Sequence, residues 1–251
     1  MIRAPHTVRA GGRLVPVVAL AGCGLLLAGC TTTQERSAKM SSQAAKAAEA
    51  KKFNVGKTSR DVVAEDVVRL EGDGSAAVVV RLDNRTGQAQ TMLPIGVDLY
   101  DAKKQSLYTN RIDGLDLALN TVSVAPPGVS YWVNNQVPVA KPERTRVRVG
   151  VPKGKLPADL PEMKISETKL GDDAGVHTLQ GKVRNLSKVE QKRLTIFAVA
   201  SDGGKVVAAG RGVVDLLPPG GKAKRFSIYF TGDPRGAKLH VDAPPSTLAG
   251  A

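Results

Sequence analysis

The chain has 251 residues, enough for one or two domains, and it is 42% hydrophobic but only 4% aromatic, so any core is built from Val, Leu, Ile and Ala. Its 26 glycines and 15 prolines suit a turn-rich β protein and argue against a helical bundle, and two cysteines cannot make a disulfide framework. A net charge of +13 favours association with anionic polymers or membrane surfaces and carries no information about fold.

Residues 1–13, MIRAPHTVRAGGR, hold three arginines and no acid. An apolar run, LVPVVALAGCGLLLAG, follows, and CTTTQERSAK then turns polar abruptly. A basic leader, an apolar segment and small residues before a cut describe a secretory signal. The apolar run is short for a membrane-spanning helix and is interrupted by Pro16, Gly22 and Gly24.

Inside this run the tetrapeptide LAGC occurs twice, ending at Cys23 and at Cys30. It resembles the lipobox of bacterial lipoproteins, in which the cysteine is lipidated and becomes the new N-terminus. The resemblance implies a signal peptide over 1–29, lipidation at Cys30 and attachment to the extracytoplasmic face of a bacterial membrane. Cys30 is preferred because it has the longer apolar segment before it and the polar switch directly after it. Use of Cys23, an ordinary cleaved signal and an uncleaved anchor are the alternatives. Cutting before Cys30 removes three arginines and lowers the net charge from +13 to +10. It also leaves no partner for a disulfide, so the exported part must be stable through packing alone.

Residues 30–60 read as a lipidated tether. SSQAAKAAEAKK contains strong helix formers, but its apolar face is only alanine, so a frayed, partly helical stalk is expected. GKT at 56–58 is not a phosphate loop, because Lys51 stands where the first glycine is required.

The remainder repeats itself. RLDNRTGQAQTMLPIGVDLYDA (81–102) aligns with KVRNLSKVEQKRLTIFAVASDG (182–203), matching Asn84 to Asn185, Leu93 to Leu194, Ile95 to Ile196 and Asp101 to Asp202 at an offset of 101. Further on, APPG (125–128) aligns with LPPG (217–220), and PERTRVRVGVP with PRGAKLHVDAP, at an offset of 92. The first copy therefore has a longer middle loop, around DGLDLALNTVS. Copies of about 90 residues exceed the 20–50 of solenoid repeats and read as two similar domains.

Each copy alternates with period two. Ala76, Val78, Val80 and Leu82 form one face of a strand, with Val79, Arg81 and Asp83 on the other. Leu93, Ile95, Val97 and Leu99, and later Val147, Val149 and Val151, form further inward sets. Turn signals such as DNRTG, YDAKK, APPG, SDGG and LPPGG separate them. The expected fold is all-β: two tandem immunoglobulin-like β-sandwich domains, at 61–152 and 161–246, with a linker at 153–160 and a tail at 247–251.

The run VDLYDAKKQSLY, with Val97, Leu99, Tyr100 and Asp101 at its heart, resembles the FxLYD-type sandwich domain of bacterial envelope proteins. The leading Phe is absent, with Ile95 or Val97 in its place, and the second copy keeps Asp202 but not the Leu-Tyr pair. The resemblance implies a fold rather than an activity.

Chemistry is sparse. His177 and His240 have no partners at metal-ligand spacing, and no nucleophile elbow, zinc motif or phosphate loop occurs. EGDG (71–74) and GDDAG (171–175) are acidic but read as tight turns rather than calcium sites. Asn84 and Asn185 fit glycosylation sequons, yet their matched positions argue for turn asparagines. Arg144, Arg146 and Arg148 project from one face of one strand, a stripe suited to phosphates or other polyanions. The competing reading is a solvated face or a charged edge that resists aggregation. Trp132, in SYWVNNQ, is a candidate ligand contact and otherwise a half-buried packing residue.

The expected function is a lipid-anchored, non-enzymatic binding or scaffolding module of the cell envelope, with no metal or cofactor. Its partners would be the membrane and an envelope protein. The alternatives are capture of an anionic wall polymer through the basic faces, and an envelope enzyme with an unrecognised site. Nucleic acid does not suit an exported protein.

Overall fold

The structure is a computed structural model, and it describes residues 53–72, 75–112, 114–138 and 142–248. Cys23, Cys30, the expected signal segment at 1–29 and residues 31–52 of the expected tether lie outside the described residues. The described residues all belong to one compact unit.

The alternating segments form strands, and the fold is an all-β sandwich. In the first half, β1 (Val62–Gly72), β2 (Ser75–Asn84) and β6 (Gly128–Val137) make one antiparallel sheet in the order β1-β2-β6. In the facing sheet, β3 (Gln90–Tyr100) is paired with β4 (Ser106–Thr109) and β5 (Thr121–Ala125) along one edge and with β7 (Arg144–Val149) along the other. In the second half, β8 (Met163–Asp173), β9 (Val176–Asn185) and β12 (Lys224–Tyr229) form one sheet. Its partner is β13-β11-β10-β14, from β10 (Gln191–Asp202), β11 (Lys205–Leu217), β13 (Thr231–Gly232) and β14 (Lys238–Asp242).

The strand order of the second half repeats that of the first, and the repeat extends to single hydrogen bonds. Asn84 is buried and donates from Nδ2 to the carbonyls of Gln88 and Ala125, both at 2.9 Å. Asn185 donates to Val189 and Leu217 at 2.8 and 3.3 Å. Each Oδ1 accepts from the backbone N–H (3.0 Å) and hydroxyl (2.7 Å) of the residue two ahead, Thr86 or Ser187. These asparagines tie the turn after β2 or β9 to the end of β5 or β11, and buried amides used this way are turn residues, not glycan acceptors. Met92 and Arg193, also equivalent, both have positive φ, 53° and 51°. Neither is glycine, so each conformation costs of order 1–3 kcal/mol and is held by the surrounding sheet. GDDAG is a tight hairpin turn with Ala174 and Gly175 at positive φ, as a two-residue connection requires.

The drop in offset from 101 to 92 has a structural counterpart. Where the second half has the single strand β11, the first has β4, a 3-10 turn at Leu117–Leu119 and β5. Buried Asn110 closes the break: its Oδ1 accepts from Val97 N–H (2.6 Å) and its Nδ2 donates to Ile95 and Leu119 carbonyls (3.0 and 2.7 Å).

The expected inward sets Ala76–Leu82 and Leu93–Leu99 are all fully buried. Two expectations are corrected. Val79, assigned to an outer face, is only 1% exposed. Val151, assigned inward, lies past the end of β7 and is 41% exposed. The reason for the first is the junction of the halves. The outer face of β2 and β6 is covered by the outer face of β10 and β11, so that Val79 and Val133 share one core cluster with Phe197, Val199 and Ala209. Burying each such Val or Phe side chain contributes roughly 1.5–3 kcal/mol. The equivalent outer face of β9 and β12 carries Gln180, Lys182, Ser227 and Arg225, which leaves a wet end rather than a third docking face.

Residues 53–59, expected to belong to a tether, pair with the first half. Thr58 bridges Gly150, Ser59 N–H donates to the Val149 carbonyl (2.8 Å), and Phe53 N–H donates to Arg111 (3.1 Å). Buried Val55 sits over Gly96 and Gly150. A Cβ at Gly150 would lie 2.3 Å from the Val55 carbonyl oxygen and one at Gly96 2.8 Å from its side chain, so both glycines are required by this close approach.

Candidate functional site

The junction of the halves leaves a cleft of about 350 Å³. The inserted segment and β5 form one wall, with Leu117, Ala118, Val122 and Val124, and β10 with the C-terminal stretch forms the other, with Phe197 and Pro244. Hydroxyls of Thr121, Ser123, Ser130 and Thr195 line it, and Lys192, Arg193, Asp116 and Asp242 bring charge to it. Ser130 is buried and its Oγ has no hydrogen-bond partner. An apolar cleft with a few convergent polar groups, placed where two sandwich halves meet, is the general form of a small-molecule site.

Asp116 organises the rim. Its Oδ1 accepts from Ala118 N–H (3.1 Å), which caps the 3-10 turn, and its Oδ2 accepts from Arg193 Nη2 (2.7 Å). Burial opposes ionisation of Asp116, but the hydrogen bonds from Arg193 and Ala118 and the charges of Arg193 and Arg211 outweigh it and hold the carboxyl below its ordinary value. Arg211 lies deeper, 8% exposed and opposite Phe197 in the β10–β11 pairing. Its Nη2 is 3.9 Å from Asp116, and its Nε and Nη1 have no partner. Burial pushes its guanidinium below its ordinary pKa, partly offset by Asp116. Asp242, paired across from Phe197, is pushed up by burial against the opposing pull of His240 and the Ala243 N–H.

Trp132 is not a surface residue. It is fully buried, and its indole N–H donates to the Ala118 carbonyl at 3.0 Å. Of the two readings, ligand contact and half-buried packing, the burial favours packing, and more completely than expected: Trp132 stands behind the cleft wall and holds the 3-10 turn in place. The ring has no free face because it fills the space between the sheets of the first half.

Arg144, Arg146 and Arg148 do project from one face of β7, opposite Tyr100, Asp98 and Gly96 of β3. Arg144 and Arg146 are exposed and Arg148 is half-buried. They stand on the opposite sheet of the first half from β2 and β6, so the stripe and the cleft are separate sites. Asp98, the buried acid on this face, is taken by Arg111 (2.7 Å). His177 lies between Asp172 (Nδ1, 2.5 Å) and Asp233 (Nε2, 3.4 Å), and the His240 ring meets that of Tyr131 at a tilt of 57°, centroids 5.3 Å apart. Among the described residues no group of three or more His, Cys, Asp or Glu is placed to hold a metal.

The residues that shape the cleft, Asp116, Arg193 and Phe197, were not legible as site residues. One signal was present: AAVVV (76–80) and IFAVA (196–200) are apolar at consecutive positions, the mark of strands buried on both faces. No family model, no curated protein and no solved structure matches this chain.

Proposed function

We propose that this chain is a lipid-anchored protein of the bacterial cell envelope whose paired sandwich halves serve as a non-enzymatic binding module. The anchor rests on the basic leader, the second LAGC and the polar switch after Cys30. The Leu99-Tyr100-Asp101 run and the repeated strand order support reading the halves as tandem FxLYD-type domains. The single observation that carries the binding function is the junction cleft, about 350 Å³ of apolar and hydroxyl-lined space held open by a buried Trp132 and an ion-paired rim.

Three measurements test this. Intact mass of the protein from its native membrane is expected to show a lipidated species beginning at Cys30, absent from Cys30→Ala; an unlipidated product in the medium sinks the anchor. Titration with anilinonaphthalene sulfonate, a generic apolar anion, is expected to show one saturable site that Ser123→Trp abolishes without altering the melting curve. Absence of saturable binding removes the cleft as a binding site, and turnover of a wall substrate by the purified chain overturns the non-enzymatic reading.

A further inference from the structure

The outer face of β3 and β7 combines two features that arise independently. The first is charge. Arg144, Arg146 and Lys104 line a shallow groove of about 470 Å³ beside Tyr100, Arg148 continues the row along β7, and none of the four makes an ion pair among the described residues. Lys57 and Lys153 are exposed at the far end, where Lys153 Nζ lies 5.5 Å from the centre of the Phe53 ring. The acids nearby are Asp98, already paired with Arg111, and the flanking Asp101 and Glu143.

The second feature is where the chain comes from. Val55 lies on this same face, over Gly96 and Gly150, and Gly150 is two residues beyond Arg148 on the arginine side of β7. Residues 53–59 thus reach the domain on its cationic face and not on another side. Between Cys30 and Phe53 there are 22 residues, which span at most roughly 80 Å even when fully extended.

We propose that this face rests on an anionic lipid bilayer, the arginines and lysines engaging phosphate headgroups. The inference uses the anchor reading to explain why a weak contact suffices, since tethering makes the contact intramolecular. Basic residues gain their attraction only within a Debye length of such a surface, so they must stand on the membrane side to contribute. The tether's point of entry puts them there. The second half places its equivalent face against the first half instead, which is why only one of the two copies carries the stripe: the positions opposite Gly96 and Tyr100 hold Arg148 and Arg144, whereas those opposite Phe197 and Ser201 hold Asp242 and Lys238.

The test uses the native lipidated chain in vesicles of phosphatidylcholine, with and without phosphatidylglycerol, and reads lysine acetylation by mass spectrometry. Lys57, Lys104 and Lys153 are expected to react roughly threefold or more slowly in the anionic vesicles at low salt, and to recover at high salt. Lys182 and Lys224 on the second half are expected to be unchanged. Arg144→Gln/Arg146→Gln/Arg148→Gln should remove the protection, while the charge-matched Lys182→Gln/Arg184→Gln/Arg225→Gln should keep it. Equal loss in both variants reduces the effect to net charge and overturns the proposal. So does a chain that floats with phosphatidylcholine vesicles yet shows no protection in anionic ones, and that result leaves the anchor standing. Protection by soluble polyglycerol phosphate but not by anionic vesicles would reassign the face to a wall polymer. Failure to float with phosphatidylcholine removes the anchor, and protection on added anionic vesicles then still supports the face.

Discussion

Asp116 and Arg193 are 77 residues apart in the chain and 2.7 Å apart in space, one on the segment inserted only in the first half and the other on β10 of the second. The pair closes one end of the junction cleft. Its backbone setting is unusual on both sides: Asp116 caps a 3-10 turn, and Arg193 sits at positive φ. Arg193 is well exposed, so the ion pair alone is worth less than about 1 kcal/mol. Loss of the cap and of the only acid within ion-pair distance of buried Arg211 among the described residues adds to this. Asp116→Ala is expected to lower stability by about 1–2 kcal/mol in urea denaturation. Because the Asp116 carboxyl is held below its ordinary value, its contribution is full above about pH 4 and fades as pH falls through the lowered value. A wild-type minus Asp116→Ala difference that persists undiminished in strong acid would refute this assignment.

Asp242 carries the opposite sign. Burial raises its pKa, so the folded state holds the proton more tightly than the unfolded chain does. The protein therefore loses stability as pH rises from the ordinary carboxylate value through the raised one. Asp242→Asn keeps the shape and the hydrogen bond from Ala243 N–H. Thermal melts should show the variant more stable than wild type near neutrality, with the difference vanishing below about pH 4.

The paired asparagines give an internal control. Asn84→Ala and Asn185→Ala each remove two donated bonds to carbonyls and leave a turn N–H without its acceptor. Each is expected to cost about 1–3 kcal/mol, with similar values in the two halves. A large cost in one and none in the other, measured by chemical denaturation, would show that the shared geometry is not shared energy.

Arg211 is buried with two guanidinium nitrogens unsatisfied. Asp116 retains Arg193 when Arg211 is removed. Arg211→Met, similar in length and apolar, is expected to leave stability unchanged or to raise it. A loss above about 2 kcal/mol would mean that the guanidinium has a partner worth more than its desolvation.

Period-two patterning, turn residues and the repeat were enough to place Leu93–Leu99 inward, to pair Asn84 with Asn185, and to set the arginines on one face of one strand. These are local properties: a strand's side chains alternate whatever lies around it, and a turn asparagine bonds to its own neighbours. Tertiary structure decided which outer faces meet. Val79 and Phe197 are each one apolar residue in a strand, and only the packing of one half on the other makes them core. The same contact determines that Asp116 finds Arg193, while packing within the first half sets Trp132 behind the cleft wall and Val55 over Gly96 and Gly150. Such contacts join residues tens of positions apart through shape and burial, and no periodicity within either strand encodes its partner.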